Sequence, residues 1–175
     1  MAVREVLLLG NPQLYQISAE IKQEAIESLK PVIADLHDTM MAFRQKWGAG
    51  RAIAAPQIGV RKRLIYMHID RPVVFINPYF EAKSQAMFEV WDGCMSFPEL
   101  LVKVKRHKSC RIVYRDLDWQ QQSMNLNDDL SELLQHEVDH LDGILAVSKA
   151  IEPTSFALRS QKEFTNYDRS NLERI

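Results

Sequence analysis

The chain has 175 residues, of which 46% are apolar and 26% charged, and its net charge is −1. That length accommodates one domain with a buried core, and the near-neutral balance excludes a general electrostatic pull toward nucleic acid or anionic membranes. No apolar run reaches transmembrane length, and the apolar residues 6–9 lack the flanks of a signal peptide. Two cysteines, Cys94 and Cys110, are too few for a disulfide scaffold, so a reducing, cytoplasmic setting is expected.

In chain order, residues 6–9 followed by Gly10-Asn11-Pro12 predict a short apolar stretch closed by a turn. A helix is expected over residues 28–46, with Ser28 as N-cap and Pro31 in the first turn, where its missing N–H does little harm. Ile33, Leu36, Met40, Phe43 and Trp47 share one face of it, and His37 beside them reads as structural. The helix runs into residues 48–59, a loop of small residues with Pro56 and Gln57, suited to the close approach of another backbone. Neither a Gly-Lys-Ser/Thr sequence nor dinucleotide glycine spacing is present, so phosphate binding is discounted.

From Arg63 the period changes to two. Strands are expected over residues 64–69, 73–76 and 79–82, with a break at Asn77-Pro78, and again over 101–104 and 109–114. Residues 89–98 read as a turn-bearing segment between strands, and residues 116–125 as polar and turn-like. Cys110 shares a face with Ile112 and Tyr114 and reads as a core thiol. Asn127 is expected to cap a second helix, with Asp128 and Asp129 in its first turn and Gly143 at its end. From Ile151 a peripheral helix with a loose end is expected. Helix, strands, then helix predict an α+β fold.

That second helix carries His136, Glu137 and His140. Two histidines four residues apart converge on one point, and the intervening carboxylate lies close enough to act as a base on whatever is bound there. By composition alone this pattern would arise in about one such chain in a hundred. A catalytic metal site needs a third protein ligand. Glu152 or Glu163 would serve a thermolysin-like protease, but Pro153 interrupts the region, and the metzincin continuation is absent. Cys94, between Gly93 and Met95, is the better candidate, since thiolate binds zinc or ferrous iron strongly.

Three stretches together resemble the peptide deformylase family. Its motif G-x-G-x-A-A-x-Q is matched by Gly50-Arg51-Ala52-Ile53-Ala54-Ala55-Pro56-Gln57, E-G-C-L-S by Asp92-Gly93-Cys94-Met95-Ser96, and Q-H-E-x-D-H by residues 135–140. The resemblance implies antiparallel or mixed β-sheets packed around a central metal-binding helix, with a helix toward the N-terminus. Residues 1–150 would form a single catalytic metallohydrolase domain, and residues 151–175 a helical or flexible extension of it.

The activity implied is removal of the N-formyl group from the N-terminal formyl-methionine of nascent polypeptides, with release of formate. Cys94, His136 and His140 would bind one divalent metal, ferrous iron foremost, with zinc, nickel or cobalt able to occupy the same donors. Glu137 would be the base, and the Gln57 side chain with the Met95 backbone N–H would stabilise the oxyanion. Gly50, Arg51, Ala52 and Ile53 would receive the peptide as an added strand. The formylated N-terminus is then the substrate partner. The ribosome is a further partner by the same resemblance, although Arg159, Lys162, Arg169 and Arg174 are interspersed with Glu163, Asp168 and Glu173 and form no basic patch.

Three positions depart from the motifs. Ala52 replaces a glycine, where a methyl group is expected to restrict φ or crowd the incoming backbone. Asp92 replaces Glu, one methylene shorter, with consequences for the Cys94 loop. Met95 replaces Leu at conserved volume. The first two motivate an alternative, a deformylase-fold enzyme acting on another N-formyl or N-acyl substrate. A non-catalytic metal- or peptide-binding homologue and an internal-bond metalloprotease are the remaining readings.

Overall fold

The computed structural model describes residues 2–165. Helix α1 spans Ile26–Trp47 and helix α2 Asp128–Leu141. The strands are β1 Ala52–Ala54, β2 Leu64–His68, β3 Pro72–Lys83, β4 Met87–Cys94, β5 Phe97–His107, β6 Ser109–Arg115, β7 Gln121–Asn127 and β8 Phe156–Leu158. They form a five-stranded sheet in the order β1-β2-β3-β6-β7 and a three-stranded sheet in the order β4-β5-β8. Every pairing between these strands is antiparallel, within the expected α+β class.

The larger sheet is covered on both faces, and β2 shows this in its sequence. Its run Leu64-Ile65-Tyr66-Met67 is buried throughout, because alternate side chains enter different cores. Ile65 and Met67 join Ala52, Ala54, Phe75, Leu133 and Leu134 on the α2 side. Leu64 and Tyr66 join Ile53, Leu36 and Met40 on the α1 side. In β1, the small Ala52 and Ala54 thus face α2, and the short methyls let this helix approach the sheet edge closely. Helix α2 also touches β5 of the smaller sheet.

Several boundaries differ from the sequence reading. Helix α1 begins at Ile26 behind a short 3-10 turn, so Ser28 lies inside it, its hydroxyl donating to the Ala25 carbonyl at 2.6 Å. Pro31 consequently sits in the second turn. The expected break at Asn77-Pro78 is a bulge within one long strand. Asn77 has φ 50°, and its side chain accepts from the Ile21 N–H and donates to the Ile21 carbonyl, which stabilises the kink. Part of the polar stretch 116–125 is strand β7, whose side chains are mostly exposed and so lack an apolar alternation.

Beyond Ile151 the expected peripheral helix is replaced by β8 and a 3-10 segment, Arg159–Thr165; residues 166–175 lie outside the described residues. Phe156 and Leu158 are exposed on an edge strand, a pattern that single-sequence reading does not separate from an irregular tail. Asn127 occupies the cap position of α2 but makes no side-chain cap bond. Cys110 is buried as expected, accepting from the Ser131 hydroxyl at 3.2 Å, and the His37 ring meets the Tyr66 hydroxyl at 2.8 Å.

Candidate active site

Helix α2 is buried on nearly every side although its sequence is polar: Ser131, Glu132, Gln135, His136, Glu137 and His140 are all inside. Buried polar groups need partners, and the partners show how the helix is held. Gln135 exchanges two bonds with the His107 backbone, accepting from its N–H at 3.0 Å and donating to its carbonyl at 2.9 Å. This ties α2 to the end of β5 and fixes the rotation of the helix. His136 and His140 then point toward the turn between β4 and β5, where Cys94 stands.

The three candidate ligands converge. Cys94 Sγ lies 3.2 Å from His140 Nε2, which lies 3.2 Å from His136 Nε2. Tetrahedral bonds of about 2.0–2.3 Å to one ion would separate such atoms by about 3.3–3.7 Å, so the donor set fits a single metal with little adjustment. The tautomer fits as well. His136 Nδ1 is 2.9 Å from the Asp92 carboxylate, so its proton lies there and its Nε2 lone pair faces the other donors. Burial opposes protonation of His136, yet Asp92 and Cys94 raise its pKa well above the ordinary value. Burial and the neighbouring His136 push that of His140 well below it. Glu152 and Glu163 belong to no such donor set among the described residues.

Behind His136 runs a chain of charges that the sequence reading missed. Arg106 donates to Asp92 at 2.7 Å and to Asp139, and Lys149 donates to Asp139 at 2.7 Å. Arg106 is 1% exposed and Asp92 2%. Burial works against ionisation of Asp92, but His136 and Arg106 outweigh it and hold the carboxyl well below the usual range. The available signal was phase: Arg106 follows Val102 and Val104 on the inward face of β5, where a charge requires a buried partner. The shorter Asp92, flagged as a departure, reaches both of its partners.

The other expected residues, Ile53 excepted, border a cavity of ≈ 330 Å³ between β1, α2 and β4. Glu137 lines it, with Oε2 buried and lacking a hydrogen-bond partner among the described residues. Burial raises its pKa to about 7, the range useful to a general base near neutrality. Gln57 is fully enclosed; its Oε1 accepts from the Ala54 N–H at 2.9 Å, which turns Nε2 toward Cys94 Sγ at 3.5 Å and Ser96 Oγ at 3.3 Å. The N-terminal stretch braces both walls, since the Leu7 N–H donates to the Gln57 carbonyl and the Leu9 N–H to the Ser96 carbonyl, each at 2.8 Å.

Gly50, Arg51 and Ala52 line the cavity, whereas Ile53 points into the core against α1. Gly50 has φ +132°, and Arg44 clamps its carbonyl at 2.6 and 2.9 Å while also donating to His68. Ala52 is ordinary strand without positive φ, so the expected backbone restriction does not arise. Its methyl packs on the α2 side of an edge strand. Met95 stands in the turn after Cys94, its side chain in the α1 core.

Comparison with known proteins places the chain in a family. The family model for polypeptide deformylase matches residues 3–155. A peptide deformylase of Dictyoglomus thermophilum is 36% identical over 155 residues, covering 87% of this chain and 95% of its relative. Peptide deformylase 1 of Prochlorococcus marinus is 34% identical over 177 residues, covering 93% and 88%. The crystal structure of a peptide deformylase from Legionella pneumophila superposes with a TM-score of 0.80 at 31% identity, covering 88% of this chain and 89% of that one. This chain belongs to the polypeptide deformylase family, a family of metalloenzymes.

Proposed function

We propose that the chain hydrolyses the N-formyl amide at the N-terminus of nascent polypeptides, formyl-methionine included, releasing formate. The observation that carries this reading is the meeting of Cys94, His136 and His140 beside an unpartnered, buried Glu137 carboxylate at the foot of an open cavity. A divalent ion on those three donors would supply Lewis acidity and a lowered water pKa; ferrous iron is the first choice, with zinc, nickel and cobalt compatible with the same set.

The protein's own groups do the rest. Glu137 takes the proton of the attacking water and returns it to the amine as the C–N bond breaks. Gln57 Nε2, pre-aimed by the Ala54 N–H, donates to the oxygen of the formyl group as charge develops, together with the Met95 N–H. β1 is an edge strand, so an extended peptide would lie along its outward side at Ala52 and the preceding Gly50 and Arg51, whose carbonyls are held by Arg44 and the His68 N–H. Ile53 contributes by anchoring that strand.

Residues 1–150 and 151–175 serve one catalytic domain in this reading. It is supported by β8 pairing with β5 and by Arg159 reaching the cavity rim. A cytoplasmic setting on formylated nascent chains follows from the substrate; no helix among the described residues is long and apolar enough to cross a membrane. The ribosome, where such chains emerge, is the proposed further partner. The test is formate release from formyl-Met-Ala-Ser by protein loaded anaerobically with iron. Formate production proportional to bound metal is expected; none, with metal bound, overturns the reading.

A further inference from the structure

Two arginines line the cavity, Arg51 and Arg159. Arg51 is paired with Asp129 at 3.0 Å. Arg159 stands past residue 155, where the match to the family ends, and deformylation as derived above makes no use of it. Strand β8 delivers it: Leu158 pairs with Leu100 of β5, so the next residue reaches back over the turn between β4 and β5. There its guanidinium lies against Gly93, whose missing side chain makes the room; a methyl group at Gly93 would stand 2.9 Å from Arg159 Nη2. Among the described residues the guanidinium makes one hydrogen bond, from Nε to the Pro98 carbonyl at 2.7 Å. That bond fixes the fork and leaves both Nη groups with their N–H donors unused at the cavity wall.

The opposite wall is β1. A peptide that pairs with β1 as an added strand is satisfied along one edge only, and its other edge projects N–H and C=O groups away from β1. On that side of the cavity stand Gly93 and, over it, Arg159. Carbonyls facing this wall need donors, and a guanidinium supplies charge-assisted ones. We propose that Arg159 is a substrate-positioning residue, its Nη groups donating to a main-chain carbonyl of the formylated peptide beyond the first residue, so that the peptide is held between β1 and β4. Such a carbonyl belongs to every sequence, so the contact reads the length of the chain and not its side chains. This rests on the deformylase reading and adds to it a determinant of substrate length.

The test compares two neutral substrates, formyl-Met-methylamide and formyl-Met-Ala-Ser-amide, on iron-loaded wild type, Arg159→Met and Arg159→Lys. The amide caps remove a terminal carboxylate that would itself attract a guanidinium. For wild type the longer substrate should have the lower KM. In Arg159→Met, kcat/KM for the longer substrate should fall about tenfold further than that for the methylamide, as for loss of one charge-assisted hydrogen bond, with the difference residing in KM. Arg159→Lys keeps the charge but loses the fork, and should fall between the two. Equal losses on both substrates, or a difference residing in kcat, would assign Arg159 to bracing the β4–β5 turn and overturn the inference; so would an unchanged KM for the longer substrate in Arg159→Met. Absence of formate from both substrates, with metal bound to wild type, overturns deformylation itself and this inference with it. If Arg159→Met does not fold, Arg159→Lys decides on the same pair by the same split.

Discussion

Helix α2 presents two kinds of charged surface one turn apart. Around His136 every charge is matched: Asp92 meets both His136 and Arg106, Arg106 meets Asp139, and Asp139 meets Lys149. Around Glu132 the matching is loose, a single guanidinium shared between two carboxylates at 3.0 and 3.7 Å. The tight set fixes a geometry before any ligand arrives, as metal donors require. The loose set leaves one guanidinium facing two carboxylates on the cavity wall, with Glu132 also close to Asp92 and His136. Substitutions on the two sides should therefore fail differently, the first through metal binding and folding, the second through a pH-dependent change in stability.

The largest effect should come from Glu137, which belongs to neither set. Glu137→Gln removes the proton acceptor while leaving Cys94, His136 and His140 in place. Turnover should fall on the order of 10⁴-fold, with metal content by elemental analysis unchanged; an active variant would remove Glu137 from the reaction. Next comes the matched chain. Arg106→Met leaves buried Asp92 with His136 alone and Asp139 with Lys149 alone, and breaking a buried pair in this way costs on the order of 3–5 kcal/mol. A urea midpoint within error of wild type would show that Arg106 does not hold the chain together. Asp92→Asn keeps the shape but weakens the hold on the His136 ring, so metal affinity in chelator competition should drop about 10–100-fold. The same assay on Glu132→Gln should show a smaller drop, since Glu132 lies near His136 but it is Asp92 that bonds its ring.

The loose side should reveal itself by pH in the metal-free protein. Burial, then the nearby Asp92 charge, raises the Glu132 pKa from 4.5 to about 8. A carboxyl whose folded pKa is raised stabilises the fold below its unfolded value and loses that contribution as pH rises through the folded one. The stability of wild type relative to Glu132→Gln should thus decline from about pH 4.5 to about pH 8, read as a widening gap between their melting temperatures. A constant gap would mean that Glu132 is ionised throughout, with Arg51 matching it fully.

The candidate site residues stand in short motifs and were therefore legible as candidates; the structure groups Cys94 with His136 and His140, and lines one cavity with Cys94, His136, Glu137 and Gln57. Arg106 was not legible, since its partners at 92 and 139 come from a different strand and from the helix, and only the fold makes them neighbours. Glu132 carried no sequence signal and Asp129 read only as a first-turn acid of α2; the structure shows that both face Arg51. Strand β7 was missed because its exposed polar side chains carry no period, its hydrogen bonds to β6 being backbone ones.

The smallest effect concerns the position that looked most troubling in the sequence. Ala52 stands where the motif has glycine, yet its backbone is extended strand, its register partner is Met67, and its methyl is 3% exposed on the side packed by α2. Glycine there would restore the motif while removing a packed methyl and adding backbone freedom to the unfolded chain, a loss of roughly 0.5–1 kcal/mol. Ala52→Gly should therefore lower the melting temperature by a few degrees. Its effect on kcat/KM should be less than about threefold, under 1 kcal/mol. A large gain in kcat/KM on formyl-Met peptides would instead show that this methyl, at the edge of β1, obstructs the incoming peptide.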